Sequence, residues 1–266
     1  MNRPIGVFDS GVGGLTVVKE LLRLLPKEEI VYFGDTARVP YGTKSQETVT
    51  RFSIENSIFL MRHHVKMVVV ACHTCSALSL STLSSHFRVP MIGMIEPGVR
   101  EALRRTRNFR IGVIGTRATV QSGAYERAIL NLRPDAKVFS ASCPLFVPLA
   151  EEGWLDHDLT KSIAQHYLAP LVQKKVDTLI LGCTHYPLLQ RVIGEVMGPK
   201  VTLIDPGKEA ARDVQTVLKE QELACVNGRR LRHRFFVSDE PGRFADLGQR
   251  FLGARLGTVE RAPQPF

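Results

Sequence analysis

One arrangement occurs twice in this chain and limits its fold more than any other feature. Val176–Pro187 reads V-D-T-L-I-L-G-C-T-H-Y-P, and Val65–Ser76 reads V-K-M-V-V-V-A-C-H-T-C-S. Each holds a short apolar run (Leu179–Leu181, Met67–Val70), then one small residue (Gly182, Ala71) and a cysteine (Cys183, Cys72). A threonine follows within two positions (Thr184, Thr74). An unbroken apolar run of this length suits a strand buried on both faces of a parallel sheet. Open α/β sheets place their ligands beyond the carboxyl ends of such strands. Cys72, Cys183 and His185 are therefore expected at a ligand-binding edge, with one thiol from each half of the chain. Two thiols facing each other across a cleft make an acid/base pair able to move a proton between two faces of a carbon.

Strand and helix patterns alternate along the remainder. Strands are expected at Ile5–Phe8, Ile30–Phe33, Met91–Ile95, Phe109–Ile114, Lys137–Ala141, Val201–Ile204 and Arg234–Val237. Helices are expected near Leu15–Leu25, after an N-cap at Ser45, and over Leu78–Phe87, Val99–Arg107, Tyr125–Leu132 and Asp158–Lys174. Tyr186–Met197, Lys208–Leu223 and Phe244–Leu252 complete the set, and the chain closes in a loose, proline-containing end. This alternation predicts an α/β fold of parallel sheets covered by helices. Pro97-Gly98 and Pro206-Gly207 read as the two chain crossings of a hinge. Residues 1–97 plus 208–266 would then form one α/β lobe and 98–207 the other, with a small-molecule site in the cleft between them.

A chain of 266 residues can bury a large core in one or two domains. Five cysteines, an odd number, do not make a complete disulfide framework. No apolar run is long enough to span a membrane, and the N-terminus enters a strand without a signal-like region, so a cytoplasmic location is expected. The net charge of +9 is concentrated in R-R-T-R at Arg104–Arg107 and R-R-L-R-H-R at Arg229–Arg234. Neither run is interleaved with aromatic residues, so both read as solvated faces, and neither nucleic acid nor a membrane is an expected partner.

Asp9-Ser10-Gly11-Val12-Gly13-Gly14 follows the first strand and invites comparison with a dinucleotide-binding turn. Thr16 stands where that fingerprint needs a small third residue, Asp9 would face the pyrophosphate, and no Gly-Lys-Ser/Thr follows. Backbone N–H groups here, with Ser10, suit a carboxylate instead, leaving Asp9 to act on a proton or a cationic amine. Cys72-x-x-Cys75 with Cys183-x-His185 could alternatively supply four zinc ligands, although the first cysteine ends a buried strand rather than lying on a knuckle. As catalytic groups, both thiols are expected at helix N-termini, which lower a thiol pKa from about 8.5. Asp9 and His185 could set which thiol starts ionised, and Glu151 could assist. No pyridoxal-type lysine signal occurs, so proton transfer at a Cα would need no cofactor, and no metal is assigned.

The segments F-D-S-G-V-G-G-L, Y-F-G-D-T-A-R-V-P-Y-G, A-C-H-T-C-S-A, S-C-P-L-F-V-P-L-A-E-E-G and L-G-C-T-H-Y-P-L-L resemble the glutamate racemases of the aspartate/glutamate racemase family. They occur in the family's order and cover nearly the whole chain. The resemblance implies two α/β lobes with pseudo-twofold symmetry around an interlobe active-site cleft. It implies a cofactor-independent isomerase that interconverts L- and D-glutamate for peptidoglycan synthesis, hence for cell-wall biogenesis and cell shape. Cys72 and Cys183 match the family's two catalytic cysteines. Asp9, Glu151 and His185 match its assisting acid/base residues. Ser10, Tyr41, Gly42, Thr74, Thr116, Thr119 and Thr184 match positions that hold the substrate's carboxylates and amine. A homodimer is the expected assembly. One departure stands out: the family usually has C-N-T-A where this chain has Cys72-His73-Thr74-Cys75. His73 is bulkier than asparagine and can ionise. It is expected to alter the Cys72 pKa, glutamate binding or the choice of substrate, while Cys75 replaces a small apolar residue. The alternatives are a racemase of a related amino acid such as aspartate, or a weakly catalytic binding protein, for example acting on DNA gyrase.

Overall fold

The first strand shows how the molecule is layered. In the computed structural model, which describes residues 3–225 and 231–263, β1 (Ile5–Asp9) is buried along its whole length. Ile5 and Val7 enter one apolar core and Phe8 another, as the twofold side-chain period of a strand requires. α1 (Leu15–Leu24), β2 (Ile30–Gly34), α2 (Gln46–Arg62), β3 (Met67–Val70), α3 (His73–His86) and β4 (Met91–Ile92) follow. In β2 and β3 the same division holds: Ile30, Tyr32, Met67 and Val69 face the first core, and Val31, Phe33, Val68 and Val70 the second. α2 and α3 cover the second core through Val49, Phe59, Leu60 and Leu83. Ser45 caps α2, its side chain accepting the Thr48 N–H at 3.3 Å. Such a cap contributes about 1 kcal/mol.

The chain then leaves through α4 (Ile95–Arg105) and builds β5 (Arg110–Gly115), α5 (Arg117–Gln121), α6 (Ala124–Leu132), β6 (Lys137–Ser142), α7 (Phe146–Glu152), α8 (Asp158–Gln173), β7 (Thr178–Gly182), α9 (Gln190–Met197) and β8 (Thr202–Ile204). It returns through α10 (Pro206–Glu220) to β9 (Arg234–Val237), α11 (Pro241–Leu252) and β10 (Val259–Arg261). Two all-parallel sheets result: β10-β9-β2-β1-β3-β4 and β6-β5-β7-β8. The expected α/β class and parallel sheets are observed.

β1 and β3 are neighbours in the larger sheet, and β5 and β7 in the smaller. The first core runs without a break from Ile5 and Leu15 of the larger sheet's layer to Leu179, Leu181 and Phe146 of the smaller one's. The carboxyl ends of β3 and β7 thus open onto common ground.

Several elements differ from their sequence reading. The strand expected over Met91–Ile95 stops at Ile92, and Pro97-Gly98 lies inside the first turns of α4. Pro206 likewise begins α10 rather than a free hinge, behind Asp205, whose side chain accepts the Gly207 N–H at 3.0 Å. The reason is packing: α4 and α10 meet where they cross between sheets, and a Cβ on Gly98 would lie 2.8 Å from the Pro206 ring. The loose end contains β10, which extends the larger sheet beside β9. α3 begins at His73, five residues earlier than expected. Arg104 and Arg105 are exposed and pair with Glu101 of their own helix, a solvated face as expected. Arg229 and Arg230 of the second basic run lie outside the described residues. Among the described residues, no helix is long and apolar enough to cross a membrane.

Candidate active site

β3 ends at Val70, and the chain passes through Ala71 to Cys72, the N-cap of α3. β7 ends at Gly182 and delivers Cys183. A side chain at Gly182 would collide with the Ile114 carbonyl of β5 and approach the Tyr125 ring to 3.4 Å, so only glycine fits between strand and thiol. The two strand ends and the loop after β1 enclose a cavity of about 220 Å³. Ser10, Gly11, Val39, Pro40, Tyr41, Gly42, Cys72, His73, Thr74, Thr116, Val147, Glu151, Cys183, Thr184 and His185 line it. Eleven of the thirteen residues singled out in the sequence belong to this lining. Asp9 and Thr119 do not; both are buried just behind it.

The surroundings of the thiols differ. Cys72 Sγ lies 3.8 Å from the Ser10 hydroxyl. Its pKa is lowered, chiefly by the Cys75 thiol that hydrogen-bonds to it, against the opposing effects of burial and Asp9. Cys75 is buried in the core under α3, and burial drives its own pKa far up, so it acts as the donor of that pair. Cys183 Sγ lies 3.8 Å from His185 Nδ1, and His185 Nε2 is 3.0 Å from Glu151 Oε1. Burial pushes the His185 imidazole down, but the Cys183 sulfur and the Glu151 carboxylate together outweigh it and hold the ring at about 10. Glu151 is held below its usual range, first by its hydrogen bond to His185. At neutral pH this makes His185 an imidazolium between a sulfur and a carboxylate.

Cys183 departs from its sequence reading in one respect. The thiol was expected at a helix N-terminus, yet it precedes a turn and a short 3₁₀ segment, Tyr186–Leu189, before α9 begins at Gln190. Its electrostatic partner is a side chain, His185, rather than a helix end.

The lobes approach each other closely around the cavity. Thr74 Oγ1 lies 3.0 Å from Thr116 Oγ1 and 3.1 Å from Thr119 Oγ1. Thr116 also caps α5, accepting the Thr119 N–H at 3.2 Å. Thr119 therefore orients the other two hydroxyls from behind. Thr16 Oγ1 donates to the Thr184 carbonyl at 2.9 Å. Gly13 comes so near the second lobe that a Cβ there would overlap the Thr184 hydroxyl and lie 2.5 Å from the His185 ring. This contact, rather than a bound pyrophosphate, explains the glycine-rich turn.

Asp9 is sealed in. Its Oδ2 accepts the Gly11 N–H at 3.0 Å, its Oδ1 has no partner, and burial raises its pKa. Tyr41 lines the cavity, but its hydroxyl turns inward to donate to Asp35 and accepts from Asn56 Nδ2 at 3.3 Å. What Tyr41 and Gly42 offer the cavity is accordingly backbone. Among the described residues, no three His, Cys, Asp or Glu side chains gather into a set able to hold a metal, so the zinc ligand set considered from the sequence is not assembled. The sequence reading did not single out Gly13 or Tyr125 as site residues. Gly13 carried a signal, being one more glycine than a tight turn needs; Tyr125 carried none.

Two parallel-sheet lobes, each ending a buried strand in a thiol at one small polar cavity, define the class as a two-lobed α/β amino-acid racemase. The chain matches the Asp/Glu/hydantoin racemase family over residues 5–214. It is 52% identical over 257 residues to a glutamate racemase of Geobacter metallireducens, covering 97% of this chain and 95% of that one. Two solved structures superpose closely. A glutamate racemase isoform from Bacillus anthracis gives a TM-score of 0.95 at 41% identity, covering 99% of this chain and 98% of that one. The enzyme from Francisella tularensis, in complex with D-glutamate, gives 0.92 at 40% identity, covering 98% of each. The chain belongs to the Asp/Glu/hydantoin racemase family, and within it to the glutamate racemases, an isomerase as its sequence implied.

Proposed function

We propose that this chain interconverts L- and D-glutamate by two-thiol proton transfer. The observation that carries the reading is the placement of Cys72 and Cys183, from equivalent strand ends of the two sheets, on one cavity. One sulfur, as thiolate, takes the Cα proton. The other, as thiol, gives its proton to the opposite face, and the pair is left with its protons exchanged. The reverse reaction swaps the roles. His185, charged and backed by Glu151, places a positive charge beside Cys183, while Cys75 and Ser10 lower the pKa of Cys72. Asp9, with a raised pKa and an unpartnered, buried Oδ1, assists from behind the turn.

Among the described residues, the lining contains no lysine or arginine. A substrate with two carboxylates and one ammonium group would have its carboxylates held by neutral donors: the hydroxyls of Ser10, Thr74, Thr116 and Thr184 and the backbone at Tyr41 and Gly42, with Thr119 fixing two of the hydroxyls. Such preorganised dipoles stabilise the charge that develops on the carboxylate as Cα loses its proton. The cavity is smaller than the usual 300–1,000 Å³ of drug-sized sites, which suits an amino acid. The D-glutamate bound to the Francisella relative supports the same substrate class here. The product would supply peptidoglycan synthesis from a cytoplasmic location, with the chain acting as a homodimer. The two lobes would be 1–97 plus 208–266 and 98–207.

The test is exchange of the Cα proton in D₂O, followed by NMR with L- and D-glutamate offered separately. Deuterium incorporation with inversion from either enantiomer is expected. Exchange with aspartate but not glutamate would move the substrate assignment, and exchange with neither would overturn the racemase reading.

A further inference from the structure

His73 lines the cavity as the residue after Cys72, and one of its ring nitrogens is already committed. Nδ1 lies 2.9 Å from the Tyr125 hydroxyl, which comes from α6 in the other lobe. The two rings are nearly parallel, 30° apart. The Tyr125 hydroxyl in turn donates to the Met94 carbonyl at 3.4 Å, at the start of α4. All three residues are buried. A phenol has a single proton. A phenol proton given to Met94 leaves the Tyr125 oxygen to accept from His73, the arrangement in which Nδ1 carries the ring's hydrogen. Nε2 is then a bare lone pair. It has no hydrogen-bond partner among the described residues, and it is not one of the sealed, unpartnered polar atoms, so it opens toward the cavity.

We propose that Tyr125 is a positioning residue that locks His73 in its Nδ1–H tautomer, so that Nε2 accepts a hydrogen bond from the substrate's α-ammonium group. This inference deepens the racemase reading above and rests on it for the identity of the ammonium donor. An amide at position 73 could turn to offer either a donor or an acceptor. The imidazole in this relay offers an acceptor only. Burial also holds the ring neutral, with a pKa down at about 3, so the lone pair is available across the working pH range. The facing groups leave the substrate's ammonium group unopposed: among the described residues the cavity lining has no lysine or arginine, and Asp9 lies buried behind it. The relay also joins the lobes, since His73 and Tyr125 stand on helices that follow strands of different sheets.

Two measurements test this. Long-range ¹⁵N–¹H NMR of ring-labelled histidine, assigned with His73→Asn, reports directly which nitrogen is protonated, and it needs no turnover. Nδ1–H is expected in the unmodified protein, with Nε2–H appearing in Tyr125→Phe; Nε2–H in the unmodified protein would overturn the proposal. The second is a kinetic cycle. Tyr125→Phe is expected to raise the glutamate KM about tenfold, the loss of one hydrogen bond, with kcat nearly unchanged. In a His73→Asn background the same change should have little effect. An equal loss in both backgrounds would mean that Tyr125 only packs the core, and would overturn its positioning role. Failure of the racemase reading would leave the NMR result intact, so the two failures are distinguishable.

Discussion

Cys72 and Cys183 end equivalent strands, yet each stands beside a histidine in the opposite charge state. His73 follows its thiol directly, is buried against a tyrosine, and has no carboxylate partner; burial alone takes it down to about 3. His185 follows its thiol by two positions, is equally buried, and is held at about 10 by a sulfur and by Glu151. Burial by itself makes an imidazole neutral, and only a nearby anion reverses that. A repeated strand–cysteine frame thus supplies two chemically equal thiols, and the residues just after each one make the halves unequal. The proposed transfer of a proton from one face to the other would start from this asymmetry.

The largest expected effect asks whether both halves are needed. Cys72→Ser and Cys183→Ser should each slow inversion of glutamate by about 10²–10⁴-fold, the usual worth of an acid/base group, as followed by circular dichroism. A variant of either kind that keeps the full rate would break the equivalence of the two strand ends.

Next in size is a substitution that strains the contact between the first turn and the Cys183 side. Gly13→Ala would press a methyl group against Thr184 and His185. Displacing a reacting group by about 1 Å costs about 10²-fold, so kcat should fall to that extent. Retained kcat would show that the second half tolerates movement.

A smaller effect comes from the charge pair. His185 is an imidazolium below its raised pKa and loses that charge as pH rises through about 10. Glu151→Gln removes one of the groups that raise it, so the basic limb of the pH–rate profile should move to lower pH. Between the old and new limbs the rate falls roughly tenfold for each unit of displacement. An unmoved limb would show that Cys183 alone sustains the charge.

How much of this was visible in the sequence depends on range. The buried strands, both thiols and the threonines after them follow from local pattern, because a strand end and a turn are set within about a dozen residues. Helix starts were less legible: nothing near Cys183 announces a 3₁₀ turn, and Pro97-Gly98 looks like a loop until α10 packs on it. Groups from distant segments were not legible at all. Tyr125 is fifty-two residues from His73, and the inward turn of the Tyr41 hydroxyl depends on a buried Asp35. Asp9 was expected from the resemblance as an acid/base group, but only the fold shows that it stands behind the cavity wall.

The last comparison sets the two histidines side by side through stability rather than rate. The folded pKa of His73, about 3, is below the unfolded value of about 6.5. The unfolded chain therefore takes up a proton that the folded chain refuses. The stability linked to this site is fully present above pH 6.5 and falls as pH drops toward 3, by about 1.4 kcal/mol per pH unit. An asparagine there does not titrate, so His73→Asn should lose that slope, seen as urea midpoints that decline less steeply between pH 6.5 and 4. His185 behaves in the opposite sense: its folded pKa is raised, so its contribution is present below 6.5 and fades as pH rises through about 10. Parallel acid curves for the parent and His73→Asn would mean that the ring finds an anion in the folded state. The contrast between a neutral imidazole at one thiol and a charged one at the other would then fail.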